Sequence, residues 1–508
     1  MITYAVKTLA LLLFWGLGLY AGCLGFYNIF LHPLKGIPGP FAAKLSRLWL
    51  FYWDYSGNPH RHIRDLHTKF GPLVRISPNE VSIDDIKANS IIYSQTNPWL
   101  KPHYHYKAFQ SSTAYSIFTE LDPEVHAAHL RLVAPAFSHA RITAVDAQNM
   151  LWGKCRLMIE AINRNMGQVN ANDVKPKHTQ IVEICLTKMF RSLALDVVTE
   201  WTFGQCVDSL ESFDSDLFEV FDVAAESVIF FQHIPFLRRL IPYIAPLVPR
   251  LVPNKLLGQY AQQALEATRR RRIEATDSAV DGSVFNNLAS EDWQEKRGFK
   301  PSDGQIISDG IVILAAGADT TAAALSVGIH HLARRADLWG ELQDELHPVM
   351  TISDGCPRVE SLAQLPLLNA VLKEGLRISC PIRGHMPRIV PKGGWMYQDT
   401  WFPAGSVVAT SAYYGCYNQT VFPNPERYNP SRWITTRDTG EMEAHLQPFS
   451  RGTRQCIGQN LTLATQRLAI ATIVHNFRPA DVRDRMIKTR EYVTLLVDSP
   501  LTVGLSPR

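Results

Sequence analysis

The chain runs to 508 residues, of which 46 % are hydrophobic and 19 % charged. That composition excludes global disorder and allows a large buried core; length alone would accommodate two or three domains. A net charge of +4 is small for this size and excludes a dedicated nucleic-acid binder. The eight cysteines are irregularly spaced with no C-x-x-C pair, which excludes a disulfide framework and suits a reducing compartment.

The chain opens with "TLALLLFWGLGLYAGCLGFYNIFL", Thr8 to Leu31, 24 residues without a formal charge. This is long enough to span a bilayer as one helix, and no small-x-small cleavage site marks it as a signal peptide. Lys7 precedes the span, while Lys35, Lys44 and Arg47 follow it. The positive-inside rule then places the bulk of the protein in the cytosol. Residues 1–31 are read as an N-terminal membrane anchor. Residues 32–40, with Pro33, Pro38 and Pro40, are read as a stiff, extended connector.

Residues 41–508 then read as one large domain. "GPLVRISPNEVSIDD" reads as a small strand-like stretch with alternating apolar residues and turn punctuation. From about residue 120 to 350 the pattern is mostly helical, and "LTKMFRSLALDVVTEWTFG" stops at a glycine, as helices often do. The run Arg269 to Arg272 reads as a solvated helix face. Residues 276 to 303 read as a surface loop. A long apolar helix spans about Gln305 to Ala336, and a second one about Leu367 to Ile378. "HMPRIV", "WMYQDTWF" and "SVVATSAYY" are short β pieces, and the last residues read as a hairpin turning at Asp498-Ser499-Pro500. The fold class is mainly α with a minor β region.

"FSRGTRQCIG", residues 449 to 458, carries the most chemistry. Small or apolar residues at 457, 461, 464, 468 and 471 put a helix directly after Cys456. A helix start stabilises a thiolate, and Arg451 and Arg454 add positive charge. Gly452 and Gly458 let a flat group approach the backbone. From local chemistry alone, an axial metal ligand, a reactive nucleophile and an inert core cysteine all remain open.

The stretch resembles the F-x-x-G-x-R-x-C-x-G signature of the haem-thiolate monooxygenases, the cytochrome P450 family, at every specified position. The resemblance implies that Cys456 is the axial iron ligand of haem b, that Arg454 meets a haem propionate, and that Phe449 shields the sulfur. A thiolate ligand pushes electron density onto iron and favours O–O cleavage. Other stretches resemble the family in the expected order. "KEGLR" supplies Glu374 and Arg377, 82 residues before Cys456, as its E-x-x-R pair. "PSRW" supplies Arg432 as the third, structural partner. Arg388 in "MPRIV" resembles the propionate-binding arginine. "AAGADTTAAAL" resembles the oxygen-activation motif: Thr320 would hold the oxygen being activated and its water, Asp319 would relay protons, and Ala316 and Gly317 would leave space for dioxygen. Thr320 is also placed to bond back to the carbonyl of residue 316 and open the helix locally. In "DPEVHAAHLRL", His126 stands where many fungal members have histidine. The usual arginine four residues later is Leu130, so Arg131 or His129 compensates or one propionate contact is lost.

The resemblance covers essentially the whole chain and is nearest to membrane-bound enzymes of fungal secondary metabolism. It implies insertion of one oxygen atom from O2 into an apolar organic substrate. Electrons would come from NADPH through a separate NADPH-cytochrome P450 reductase, with cytochrome b5 as a second donor. The protein would sit in the endoplasmic reticulum membrane with its catalytic domain facing the cytosol. Substrate contacts would come from "PWLKPHYHYKAF", "AESVIFFQHIPFL", the long helix and "VTLLVDSP". The alternatives are an O2-independent haem-thiolate isomerase or dehydratase and a non-catalytic haem-binding membrane protein.

Overall fold

The computed structural model describes residues 2–110, 114–170, 181–244, 254–274, 282–352, 356–436, 438–482, 487–498 and 500–508. Its axis is the helix Asp303–Ala333, started by Ser302 and Gln305 in a reciprocal capping box. This helix is apolar around most of its circumference, as a helix enclosed on all sides must be. Leu186–Phe203, Pro366–Ser379 and Asn254–Glu274 pack directly against it. It is long and apolar enough to cross a membrane, yet 72 % of that apolar window is buried. The N-terminal segment Leu11–Leu31 passes the same criterion with only 11 % buried. The two are thereby told apart: one is the core, the other fits a single-pass anchor.

The β region is small. Leu73–Ser77 pairs antiparallel with Glu80–Ile83, Val407–Ala409 runs parallel to the latter, and Arg388–Ile389 closes the four-stranded sheet. A separate apolar cluster under this sheet includes Val81, Ile83, Phe402 and Val408.

Three local expectations need correction. The connector at 32–40 is not free-standing and extended. It folds through turns (Lys35 N–H to His32 O, 2.9 Å; Ile37 N–H to Leu34 O, 3.1 Å), and Pro38 O accepts from Arg75 N at 2.7 Å. Leu34 and Ile37 point into the sheet's core, so the prolines forbid helix while the residues between them anchor the segment. The C-terminal hairpin turns at Val493, at φ 90°, between Thr489–Tyr492 and Thr494–Val497. Ser499 lies outside the described residues, and Thr502–Pro507 pairs instead with Val182–Cys185 and Phe477–Val482, partners that turn chemistry cannot reveal. The stretch expected as a loop holds two short helices, Val284–Leu288 and Glu291–Arg297, capped by Ser283 and Ser290; residues 276–281 of it lie outside the described set.

The basic run divides in two. Arg269 and Arg270 are solvated and pair with Asp303 and Glu266. Arg271 donates to the carbonyls of Phe203 and Gly204, and Arg272 to Asn286.

Candidate active site

The loop 449–458 is built by backbone constraints. Ser450 and Gly452 adopt positive φ (56° and 77°), and Gly452–Arg454 forms a 3-10 turn. A side chain at Gly452 would collide with the carbonyl of Tyr93, so only glycine lets the loop lie against residue 93. Cys456 N–H donates to Phe449 O at 2.9 Å, which fixes the thiol just ahead of helix Gln459–Asn476. The side chain of Cys456 is exposed, yet burial raises its pKa, with the Gly458 amide opposing. The two observations agree if the thiol opens onto an internal cleft rather than bulk water. Ala316, in the middle of the central helix and otherwise among buried neighbours, is exposed too. The two arginines expected to favour the thiolate are elsewhere: Arg451 is exposed, and Arg454 lies beside Arg388.

That position of Arg454 is informative. Burial and the like charge of Arg388 push its pKa down to about 10, and its Nη1 is buried with no hydrogen-bond partner. Arg388 donates to Tyr106 Oη at 2.5 Å and to its neighbour's carbonyl, Pro387 O, at 2.9 Å. Lys101 is buried beside both arginines, and burial followed by their charges lowers its pKa well below that of a free lysine. Its Nζ donates to Phe118 O at 2.5 Å and sits 4.4 Å from the Tyr106 ring centre. His126 is also buried and held neutral, its pKa lowered to about 3 by burial and by Arg454 and Lys101. The nearest acid drawn to this group is Glu120, whose Oε1 already accepts from the amides of Leu121 and Asp122. Two buried cations, Lys101 and Arg388, and the half-buried Arg454 face only the engaged Glu120 and the exposed Asp122, an excess of positive charge that such a site cannot sustain alone.

The helix Pro123–Val133 does not supply a further cation. His129 Nε2 pairs with Asp309 Oδ2 at 2.7 Å, both fully buried, and Arg131 is exposed. Leu130 packs on the main core. Neither residue expected to compensate for Leu130 therefore does so.

On the central helix, Thr320 Oγ1 donates to Ala316 O at 2.7 Å, and the helix continues through this bond without interruption. Asp319 Oδ1 accepts from Arg191 Nε at 2.9 Å, and Arg191 Nη2 reaches Asp222 Oδ1 at 2.7 Å. Burial raises the Asp319 pKa; Asp222 adds to the rise and Arg191 opposes it. A cavity of about 290 Å³ is lined by Asp319, Arg191, Asp222, Glu226 and Arg490 among others. Gly317 faces a different neighbour: a Cβ there would come within 2.7 Å of Val198 Cγ2. Its small size lets two helices touch, which corrects its reading as space for dioxygen.

Behind the loop, Glu374 is fully buried. It accepts from Arg377 Nε and Nη2 (3.0 and 2.9 Å), Arg432 Nε (3.3 Å), Trp433 Nε1 (2.9 Å) and Asn429 N (2.9 Å). Trp433 and Asn429 were not visible as partners in the sequence. Nor were Lys101 and Arg191, which no local sequence signal sets apart.

Crowded cations need anions, and a porphyrin with two propionates above a thiol provides them. The class of protein that fold and site define together is a haem-thiolate protein. The cytochrome P450 family profile matches residues 38–503, and the chain belongs to that family. It is similar to cytochrome P450 monooxygenase aflU of Aspergillus parasiticus, 28 % identical over 89 % of this chain and 88 % of that one. It is also similar to cytochrome P450 monooxygenase macH of Penicillium terrestre (29 %, 89 % and 88 %) and to a pisatin demethylase of Fusarium vanettenii (29 %, 89 % and 84 %). The fold matches the crystal structure of the cytochrome P450DA haem domain with a TM-score of 0.74 at 16 % identity, over 93 % of this chain and 98 % of that one. The protein is an oxidoreductase of the cytochrome P450 type, with a cysteine-ligated haem as its family and fold imply.

Proposed function

We propose that the protein is a monooxygenase that inserts one oxygen atom from O2 into an apolar organic substrate in a fungal secondary-metabolite pathway. Electrons would arrive from NADPH through a separate NADPH-cytochrome P450 reductase, with cytochrome b5 as a second donor. The observation that carries this reading is the Asp319–Thr320 pair on the central helix. An isomerase or dehydratase that uses no O2 has no need of an acid next to a hydroxyl there, and burying the Asp319 carboxyl is costly.

Haem, when bound, supplies the redox-active iron at which O2 is reduced and split. Cys456 is the residue placed to bind that iron, its thiol open to the cleft. Arg454, Arg388 and His126 would hold the propionates, and Phe449 packs against the main core. Thr320 keeps its hydroxyl on the cleft side of the helix by donating to Ala316 O, which leaves its oxygen free to accept a proton donor. Asp319, whose pKa burial raises against the opposing charge of Arg191, would relay the proton. Arg191 bridges Asp319 to Asp222 at the solvent side, so proton entry runs through that cavity. Tyr106, Phe109 and Phe118 form a ring cluster on the stretch that leads into the cleft, which suits a terpenoid or polyketide skeleton.

The N-terminal helix would hold the enzyme in the endoplasmic reticulum membrane with the rest facing the cytosol. Exposed Phe41, Leu48 and Phe236 give lipid further apolar contact. The test is spectral and catalytic together. Reduced wild-type protein with carbon monoxide absorbs at about 450 nm, and Cys456→Ser abolishes that band while Cys416→Ser keeps it. Microsomes supplied with reductase and a panel of fungal intermediates consume NADPH and O2 on turnover. Product formation without O2 uptake would replace this reading with the isomerase one.

A further inference from the structure

Lys101 belongs to no motif, yet it is 5 % exposed and lies next to Arg388 and Arg454, which repel it. Among the described residues its Nζ has one hydrogen bond, to Phe118 O, and rests against the Tyr106 and Phe118 rings at 4.4 and 4.6 Å. A carbonyl and two ring faces are weak compensation for a buried ammonium. Glu120 attracts it, but that carboxylate already accepts two backbone amides. Lysine is costly at this place unless an anion absent from the polypeptide completes it.

The neighbouring helix says which anion. Helix Pro123–Val133 presents His126 to the cluster, and one turn later the same face carries Leu130. The two polar residues flanking Leu130 are committed elsewhere, His129 to Asp309 and Arg131 to solvent. The helix therefore provides no cation, and the third positive charge comes from a different segment. We infer that Lys101 is a haem-propionate ligand of this chain, replacing from the 98–110 segment the cation that Leu130 does not provide. With Arg388 and Arg454 it makes three cations, against which the polypeptide sets only Glu120, already engaged by two amides, and the exposed Asp122, so two propionates complete the cluster. This inference rests on the haem reading above.

The charge account has a consequence that a purely structural lysine does not share. A lysine that only braces Phe118 O is replaceable by methionine, which has similar length and no charge to bury. A lysine that holds a propionate is not, and a cation restored at residue 130 takes over from it. The experiment measures transfer of ferric haem from the full-length holoenzyme to excess apomyoglobin, with the carbon monoxide spectrum and thermal unfolding of each preparation alongside.

Lys101→Met is expected to lose haem about 10- to 100-fold faster than wild type, the span of one charge-assisted hydrogen bond. Its melting temperature should fall no further than the lost haem accounts for. Lys101→Arg should stay near the wild-type rate. The double variant Lys101→Met with Leu130→Arg should recover most of the loss. A wild-type rate in Lys101→Met overturns the assignment. Equal haem loss in Lys101→Met and Lys101→Arg, or no recovery in the double variant, overturns it as well, because shape rather than charge is then what holds the group. Wild-type protein lacking the thiolate band would bring down the haem reading itself, a different failure from an unchanged Lys101→Met.

Discussion

Asp319→Asn separates proton supply from everything else the site does. The carboxylate accepts one hydrogen bond, from Arg191 Nε at 2.9 Å, and its Oδ1 also lies 2.9 Å from Arg191 Nη2. Removing its charge does not strand Arg191, which keeps Asp222 at 2.7 Å, and the asparagine oxygen still accepts one bond. The cost to the fold is therefore about 1–2 kcal/mol, the worth of a charge-assisted bond rather than of a broken buried ion pair. Against a total of about 5–15 kcal/mol the variant should fold and load haem. Turnover is another matter, because a positioned acid typically contributes about 100- to 10,000-fold. Asp319→Asn should slow NADPH consumption within that range while the thiolate band and substrate binding stay intact. Thr320→Ala loses only the bond to Ala316 O, about 1 kcal/mol. It should keep NADPH consumption and divert it from product to hydrogen peroxide. The assay is the ratio of product to NADPH consumed, with peroxide measured in parallel and the carbon monoxide spectrum as the control for haem. Unchanged turnover in Asp319→Asn, or wild-type coupling in Thr320→Ala, would refute the proton path and favour a route through the substrate.

Glu374→Gln leaves Arg377 and Arg432 buried without their carboxylate; a loss of about 3–5 kcal/mol is expected, read as a lower urea midpoint and a smaller haem-loaded yield. His67 is buried, with Nδ1–H donating to Gly71 O and Nε2 accepting from Ser82, and burial lowers its pKa to about 4. Because the unfolded chain binds that proton first, the neutral ring contributes stability that is complete above about pH 6.5 and is lost as pH falls toward the folded value. His67→Gln should flatten the fall of the urea midpoint over that window by about 2–4 kcal/mol. Deleting residues 1–31 removes the exposed helix with the bonds Asn28 Nδ2 to Leu45 O and His32 N–H to Tyr27 O; the truncated protein should leave the carbonate-washed membrane fraction with its haem spectrum unchanged.

The elements that were legible in the sequence are those set by local signals. Helix Leu186–Phe203 ends at Gly204, the central helix starts at a capping box, and the strand pair at 73–83 alternates around a Ser-Pro-Asn turn. Illegible were the segments whose conformation depends on a distant partner. Residues 32–40 look like a spacer until Leu34 and Ile37 meet Val81 and Phe402. Thr502–Pro507 looks like the second arm of a hairpin until it fills the gap between Val182–Cys185 and Phe477–Val482. Composition and turn residues describe what a segment allows, and long-range packing chooses among the allowed states.

At the site the division falls between position and electrostatics. The signature placed Cys456 in a loop ahead of a helix, where the structure has it. Formal charge suggested that Arg451 and Arg454 would favour a thiolate, but charge acts through where the guanidinium ends. Arg454 ends beside Arg388, and burial alone moves the thiol upward against the Gly458 amide. The same reason hid Lys101: its stretch, "PWLKPHYHYKAF", reads as a source of substrate contacts, with nothing to mark the lysine. Only the fold brings it to Arg388 and Arg454. Gly317 shows the converse. Its motif position suggests room for a small molecule, but the nearest atoms to its missing side chain belong to Val198. A glycine on a central helix answers to the helix packed against it before it answers to any ligand.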